Sequence, residues 1–182
     1  MRMDMYHTKI LKALESEDYI SVRRRVLCQL VESLIYEGII IPVRIEKEEK
    51  ILFLIQGLDE ENKSVTYECY GRERMTFGRI SIDSLIVRVQ EEKQEIQSVS
   101  QFLEEVFRVV NVEQTKLDSF IHELEQTIFK DTIAQYERRN KLKFTQKSYD
   151  DFESHLIDGH PYHPSYKARI GFQYRDNFQY GY

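Results

Sequence analysis

The sequence predicts an α+β fold: an antiparallel sheet flanked by helices. Apolar residues recur at helical spacing before residue 38 and again after residue 98, whereas the stretch from about 39 to 89 is β-branched and alternating. The strand-like runs are joined by short polar links. Parallel strands need crossovers of roughly a dozen residues or more, so these strands run antiparallel. A chain of 182 residues is long enough to bury a sizeable core, and only 7 Gly and 3 Pro exclude a collagen-like or low-complexity chain.

The elements follow in order. Tyr6 to Leu14 carries the pattern of a short first helix. Ile20, Val22, Val26, Leu27, Leu30, Val31, Leu34 and Ile35 then mark an amphipathic helix, with Gly38 placed to end it in the left-handed region. Arg23, Arg24 and Arg25 read as its solvated face. Ile39 to Ile45 contains Pro42, which removes a ladder donor, so this strand belongs at a sheet edge. Ile51 to Leu58 is a second strand, and 59–63 a polar turn. Ser64 to Tyr70 alternates, with Val65, Tyr67 and Cys69 on one face. Met75 to Ile82 and Leu85 to Val89 supply further strands. Ser98 and Gln101 stand at capping-box spacing ahead of a helix carrying Phe102, Leu103, Val106, Phe107 and Val110. Leu117, Phe120, Ile121, Leu124 and Ile128 stripe a long helix from about 113 to 138. A basic, polar linker follows at 138–147. Ser148 opens a short helix with Phe152 and Leu156, ended by Gly159.

Charge and cysteine content narrow the function. Lys+Arg number 26 against 31 Asp+Glu, a net charge of −5. The resulting pI of about 5.6 argues against nucleic acid as a partner. No apolar run reaches the ~18–20 residues that a membrane-spanning helix needs. The N-terminus lacks the apolar segment of a secretory signal. Cys28 and Cys69 form no disulfide framework or zinc spacing and read as buried thiols. The expectation is a cytoplasmic protein with no membrane partner.

The chemistry is concentrated in the tail. Residues 159–172 read Gly-His-Pro-Tyr-His-Pro-Ser-Tyr-Lys-Ala-Arg-Ile-Gly-Phe. Each proline pushes the residue before it out of the α region, so His160 and His163 both sit in extended backbone. Lys167 and Arg169 follow closely. Two imidazoles, an ammonium and a guanidinium in a stiff loop of an acidic protein suit a polyphosphate or polycarboxylate. A zinc site would draw on His155, His160 and His163, but no Cys lies nearby and the prolines break the helical geometry that presents paired histidines. A structural turn with solvated Lys and Arg is the plain alternative. His7 and His122 are lone histidines on helical segments. No phosphate loop or G-x-G-x-x-G motif is present.

The string from His160 to Phe172 resembles, at every fixed position, the H-P-x-H-P-x-x-K-x-R-x-G-F signature of the NRPS-independent siderophore synthetases, the aerobactin-synthetase-like family. The resemblance implies ATP and Mg²⁺ as cofactors and adenylation of a citrate-derived carboxylate. A spermidine-derived amine then displaces AMP. It implies an ATP-dependent carboxylate–amine ligase in the full-length chain, with ATP, a citrate derivative and a polyamine as partners and room for a homodimer. It assigns His163, Lys167 and Arg169 to the ATP phosphates, with His160 beside them. No metal ligand falls within this chain; the magnesium ligands, the palm and a second phosphate segment are expected further along. Residues 1–155 would form a thumb-like N-terminal domain, and 156–182 the beginning of a nucleotide-binding fingers domain. Family members are about three times as long, so the 182 residues alone are expected to be inactive. The alternative is a non-catalytic interaction or dimerisation module.

Overall fold

The computed structural model describes residues 2–74, 78–110, 112–141 and 163–168. Two helices open the chain, α1 (Arg2–Leu14) and α2 (Glu17–Tyr36). Six strands follow: β1 (Val43–Glu46), β2 (Ile51–Leu58), β3 (Ser64–Glu73), β4 (Ile80–Ile82), β5 (Val87–Val89) and β6 (Lys93–Glu95). Two helices close the described core, α3 (Val99–Val110) and α4 (Gln114–Lys141). This is the α+β architecture expected from the sequence.

The ends of α2 are set by local chemistry. The Ser16 hydroxyl accepts the Asp18 N–H at 3.2 Å, so the helix begins earlier than its apolar stripe. Gly38 has φ +70°, the left-handed cap expected of it. The Ile39 N–H reaches Leu34 O at 2.9 Å and the Gly38 N–H reaches Ile35 O at 3.1 Å, the paired bonds of a Schellman motif. That motif, with Ile40 N–H also on Leu34 O at 3.2 Å, takes up the backbone of Ile39 and Ile40. Strand β1 therefore begins after Pro42 and not at Ile39. It lies at the sheet edge, as the proline requires.

The sheet is open and wholly antiparallel, in the order β1-β2-β3-β5-β6, with β4 also on β3. Strand β3 is ten residues long and serves two short partners along one edge, β5 through Thr66–Glu68 and β4 through Gly71–Glu73. Gly71 allows that second pairing, because a Cβ there would lie 2.3 Å from Ser81 O. One face of the sheet is buried: Ile51, Phe53 and Ile55 from β2 with Val65, Tyr67 and Cys69 from β3. Phe102 of α3 meets the Tyr67 ring edge-on at 4.9 Å. Helix α3 covers β2, α2 packs on β4, and α4 packs on the other three helices.

Further expectations need correction. Strand β6 is absent from the sequence reading, since Lys93-Gln94-Glu95 carries no apolar signal; pairing with β5 makes it a strand. The run Arg23–Arg25 is solvated as expected only at Arg24, while Arg23 is buried and Arg25 half-buried. Arg23 is 7% exposed. Arg23 and Arg24 both reach Glu95 of β6, Arg24 through two bonds of 2.7 Å, while Arg25 turns to Asp131 of α4. Successive helical residues are offset by ~100°, so three arginines in a row address different neighbours. The capping box at Ser98 forms by half: its hydroxyl accepts the Gln101 N–H at 3.2 Å, but the Gln101 amide donates to Glu105 instead of returning. The short helix expected from Ser148 and the domain boundary at 155 lie outside the described residues.

Candidate functional site: the 163–168 turn on helices α2 and α4

Helix α4 builds the floor of the site. Its apolar stripe runs through Leu117, Ile121, Leu124 and Ile128, and the next position on the same face is Asp131. Two threonines near it, Thr127 and Thr132, are also fully buried, and each satisfies its hydroxyl on the carbonyl four residues back. Asp131 has no such local answer. Its carboxylate, 0% exposed, accepts hydrogen bonds from the Arg25 guanidinium, the Tyr166 hydroxyl and the Lys167 ammonium. Arg25 also donates to the Tyr166 oxygen at 3.1 Å. Burial pushes the Tyr166 phenol up, and its bond to the Asp131 carboxylate adds to the effect. Two cations, Arg25 and Lys167, thus meet on the one Asp131 carboxylate. The Lys167 side chain is 20% exposed and that of Arg25 37%.

The turn itself is short and pinned. The Ala168 N–H closes on Ser165 O at 3.0 Å. Pro164 is buried, and Tyr166 packs against the main core. His163 and Ser165 look the other way, into a cavity of about 460 Å³. Its opposite wall comes from α2 (Glu32, Tyr36) and from Arg79, whose guanidinium stacks over the Tyr36 ring at 4.2 Å. Glu32 accepts the Ile82 N–H at 2.7 Å; burial holds its carboxyl above the usual range despite that bond.

Of the four residues expected at the ATP phosphates, the structure describes two. His163 lies exposed at the cavity, and Lys167 is turned onto Asp131. His160 and Arg169 lie outside the described residues, as do His155, Gly159 and Gly171. Sequence reasoning missed Asp131, Arg25 and Tyr166. The available signal was a carboxylate at the next position of an apolar stripe, which demands buried partners. Among the described residues no group of three His, Cys, Asp or Glu side chains could hold a metal ion. No described helix is long and apolar enough to cross a membrane.

Known proteins resemble this chain in sequence and in fold. Residues 148–182 match the IucA / IucC family. The whole chain is 91% identical to 30% of a Bacillus anthracis protein, citryl-spermidine/3,4-dihydroxybenzoyl-citryl-spermidine:spermidine ligase. Over 161 residues, 88% of this chain and 25% of the relative, it is 37% identical to the 2-[(L-alanin-3-ylcarbamoyl)methyl]-3-(2-aminoethylcarbamoyl)-2-hydroxypropanoate synthase of Staphylococcus aureus. The crystal structure of the petrobactin biosynthesis protein AsbB from Bacillus anthracis superposes with a TM-score of 0.88 at 86% identity, over 98% of this chain and 29% of that one. The ATP-bound aerobactin synthetase IucA of Klebsiella pneumoniae shares the fold, with a TM-score of 0.56 at 14% identity over 84% of this chain and 27% of that one. The chain thus spans about 30% of the length of its Bacillus relative. The chain is thus similar throughout to part of the Bacillus ligase, and its segment 148–182 matches the IucA / IucC family.

Proposed function

We propose that the chain corresponds to the N-terminal part of an ATP-dependent siderophore synthetase of petrobactin type, acting in the cytoplasm, where ATP is available. The observation that carries this reading is 91% identity along all 182 residues to the citryl-spermidine:spermidine ligase. In the reaction, a citrate-derived carboxylate oxygen attacks the α-phosphorus of ATP and pyrophosphate leaves. A spermidine-derived primary amine then attacks the acyl carbon, AMP departs, and the amine nitrogen loses a proton to give the amide.

This chain's own contribution is charge and shape at the phosphates. Negative charge gathers on the α-phosphate and the departing pyrophosphate, and fixed cationic donors stabilise it without the reorganisation that water needs. His163 and Lys167, with Arg169 and His160, are the proposed donors. An ammonium has three N–H groups. Lys167 uses one on Asp131. Residues 1–155 serve as the thumb-like domain and 156–182 open the fingers. The described residues offer no cluster fit for magnesium, and none is assigned to it.

The test is pyrophosphate release by the full-length enzyme with ATP, a citrate-derived substrate and polyamine. Lys167→Ala and Arg169→Ala each lower turnover by ~10²–10³, the usual cost of losing one donor at a developing charge. His163→Ala acts in the same direction. The 182 residues alone show no citrate-dependent ATP–pyrophosphate exchange. Near-normal turnover in both the Lys167 and Arg169 variants leaves the loop as a structural turn only.

A further inference from the structure

We propose that Asp131, acting with Arg25 and Tyr166, is a positioning residue for the signature turn. It would decide where His163 and Lys167 stand when the phosphates arrive. The inference rests on the reading of the turn as a phosphate-binding segment.

A fully buried carboxylate is tolerated only when its charge and lone pairs are met. The donors that meet Asp131 come from two other segments, Arg25 of α2 and the Tyr166–Lys167 pair of the turn, with sequence separations of 106, 35 and 36 residues. Two of these three exist only while the turn is docked. Lifting the turn off α4 would remove two of the three donors that meet this carboxylate, which is fully enclosed while the turn is docked. The carboxylate therefore holds the turn down. Position follows from this: Tyr166 and Lys167 are fixed on one side, the Ala168-to-Ser165 bond closes the turn, and His163 and Ser165 are directed to the cavity on the other. Tyr166 links the two charges of opposite sign, donating to Asp131 while accepting from Arg25. None of the three side chains needs to touch a nucleotide for this. Their effect would be transmitted through the backbone of 163–168.

The experiment uses the full-length enzyme and two variants, Tyr166→Phe and Asp131→Asn. Tyr166→Phe keeps the ring and deletes only the hydroxyl. Amide hydrogen exchange of the peptide spanning 163–168, measured without nucleotide, should quicken about fivefold, the worth of one hydrogen bond. KM for ATP should rise by a similar factor, with kcat within about twofold and the melting temperature nearly unchanged. Asp131→Asn should lower kcat/KM for ATP by roughly 10²-fold, the scale of a displacement of about 1 Å at a reacting centre. If Asp131→Asn does not fold, Tyr166→Phe decides alone. Unchanged exchange, or faster exchange with KM and kcat unchanged, overturns the inference, because a merely structural contact would move only stability. A wild-type enzyme that turns over no ATP instead removes the phosphate reading. In that case the exchange arm still reports whether Asp131 holds the turn.

Discussion

Two buried carboxylates in this protein are built from similar parts and tie together different segments. Glu105 of α3 accepts the Tyr67 hydroxyl at 2.6 Å, the Arg88 guanidinium through bonds of 2.9 and 2.9 Å, and the Gln101 amide at 3.2 Å. Asp131 of α4 likewise takes a tyrosine hydroxyl and a guanidinium, then a lysine in place of the amide. The Glu105 set balances, one cation to one anion, and Arg88 is only 12% exposed. It ties α3 to β3 and β5, and each of its partners lies within the sheet or the same helix. The Asp131 set takes in Lys167 and so draws on the signature turn. A cluster closed within sheet and helix holds the fold together; one whose donors come from a separate turn also ties that turn to the fold.

The largest effect expected from this comparison is on stability. Glu105→Gln leaves the Arg88 charge enclosed without its partner, and breaking such a pair costs ~3–5 kcal/mol. Equilibrium urea unfolding should show that loss, while KM for ATP of the folded full-length variant stays within about twofold of wild type. A large rise in KM for ATP would erase the distinction between the two clusters.

Acid should separate them next. Burial tends to raise the Glu105 carboxyl, but the bonds from Arg88, Tyr67 and Gln101 outweigh it and hold the group below its ordinary value of 4.5. A carboxyl lowered in the folded state contributes stability that is fully present above 4.5 and lost as pH falls through the lowered value. Unfolding free energy measured from pH 6 down to pH 3 should therefore fall below about 4.5, and more shallowly in Glu105→Gln. Equal slopes in the two proteins would place the acid-sensitive group elsewhere.

The smallest effect is a control within one helix turn. Arg24 neighbours Arg25 in sequence but reaches Glu95 at the β6 edge, away from Asp131. Arg24→Ala should change the rate of pyrophosphate release by less than about twofold, as surface substitutions usually do. A strong loss of rate would extend the site to β6 and weaken the assignment of function to the Asp131 side alone.

Much of the fold was legible because it follows from short-range rules. The Val65–Tyr67–Cys69 face, the Gly38 cap and the edge position after Pro42 each depend on a few neighbouring residues and came out as read. Of the two thiols expected to be buried, Cys69 is buried and Cys28 half-buried, and both are pushed up to about 12, first by burial and then by nearby charges. Composition and spacing marked the signature string as a stiff, cation-rich loop, and its phosphate role was read from a family resemblance. The remainder depended on contacts between distant segments. Strand β6 has no apolar period of its own and exists through its pairing with β5. The three arginines of α2 look alike in sequence, and only the neighbours on each side of the helix divide them between Glu95 and Asp131. Lys167 shows the limit most plainly. Sequence marked it as a cation in a stiff loop, but whether that cation meets solvent or a buried carboxylate is settled by α4 packing beneath the turn, 36 residues back along the chain. An ammonium's role is set by the charges within a few ångströms of it, and in this chain tertiary folding alone brings them there.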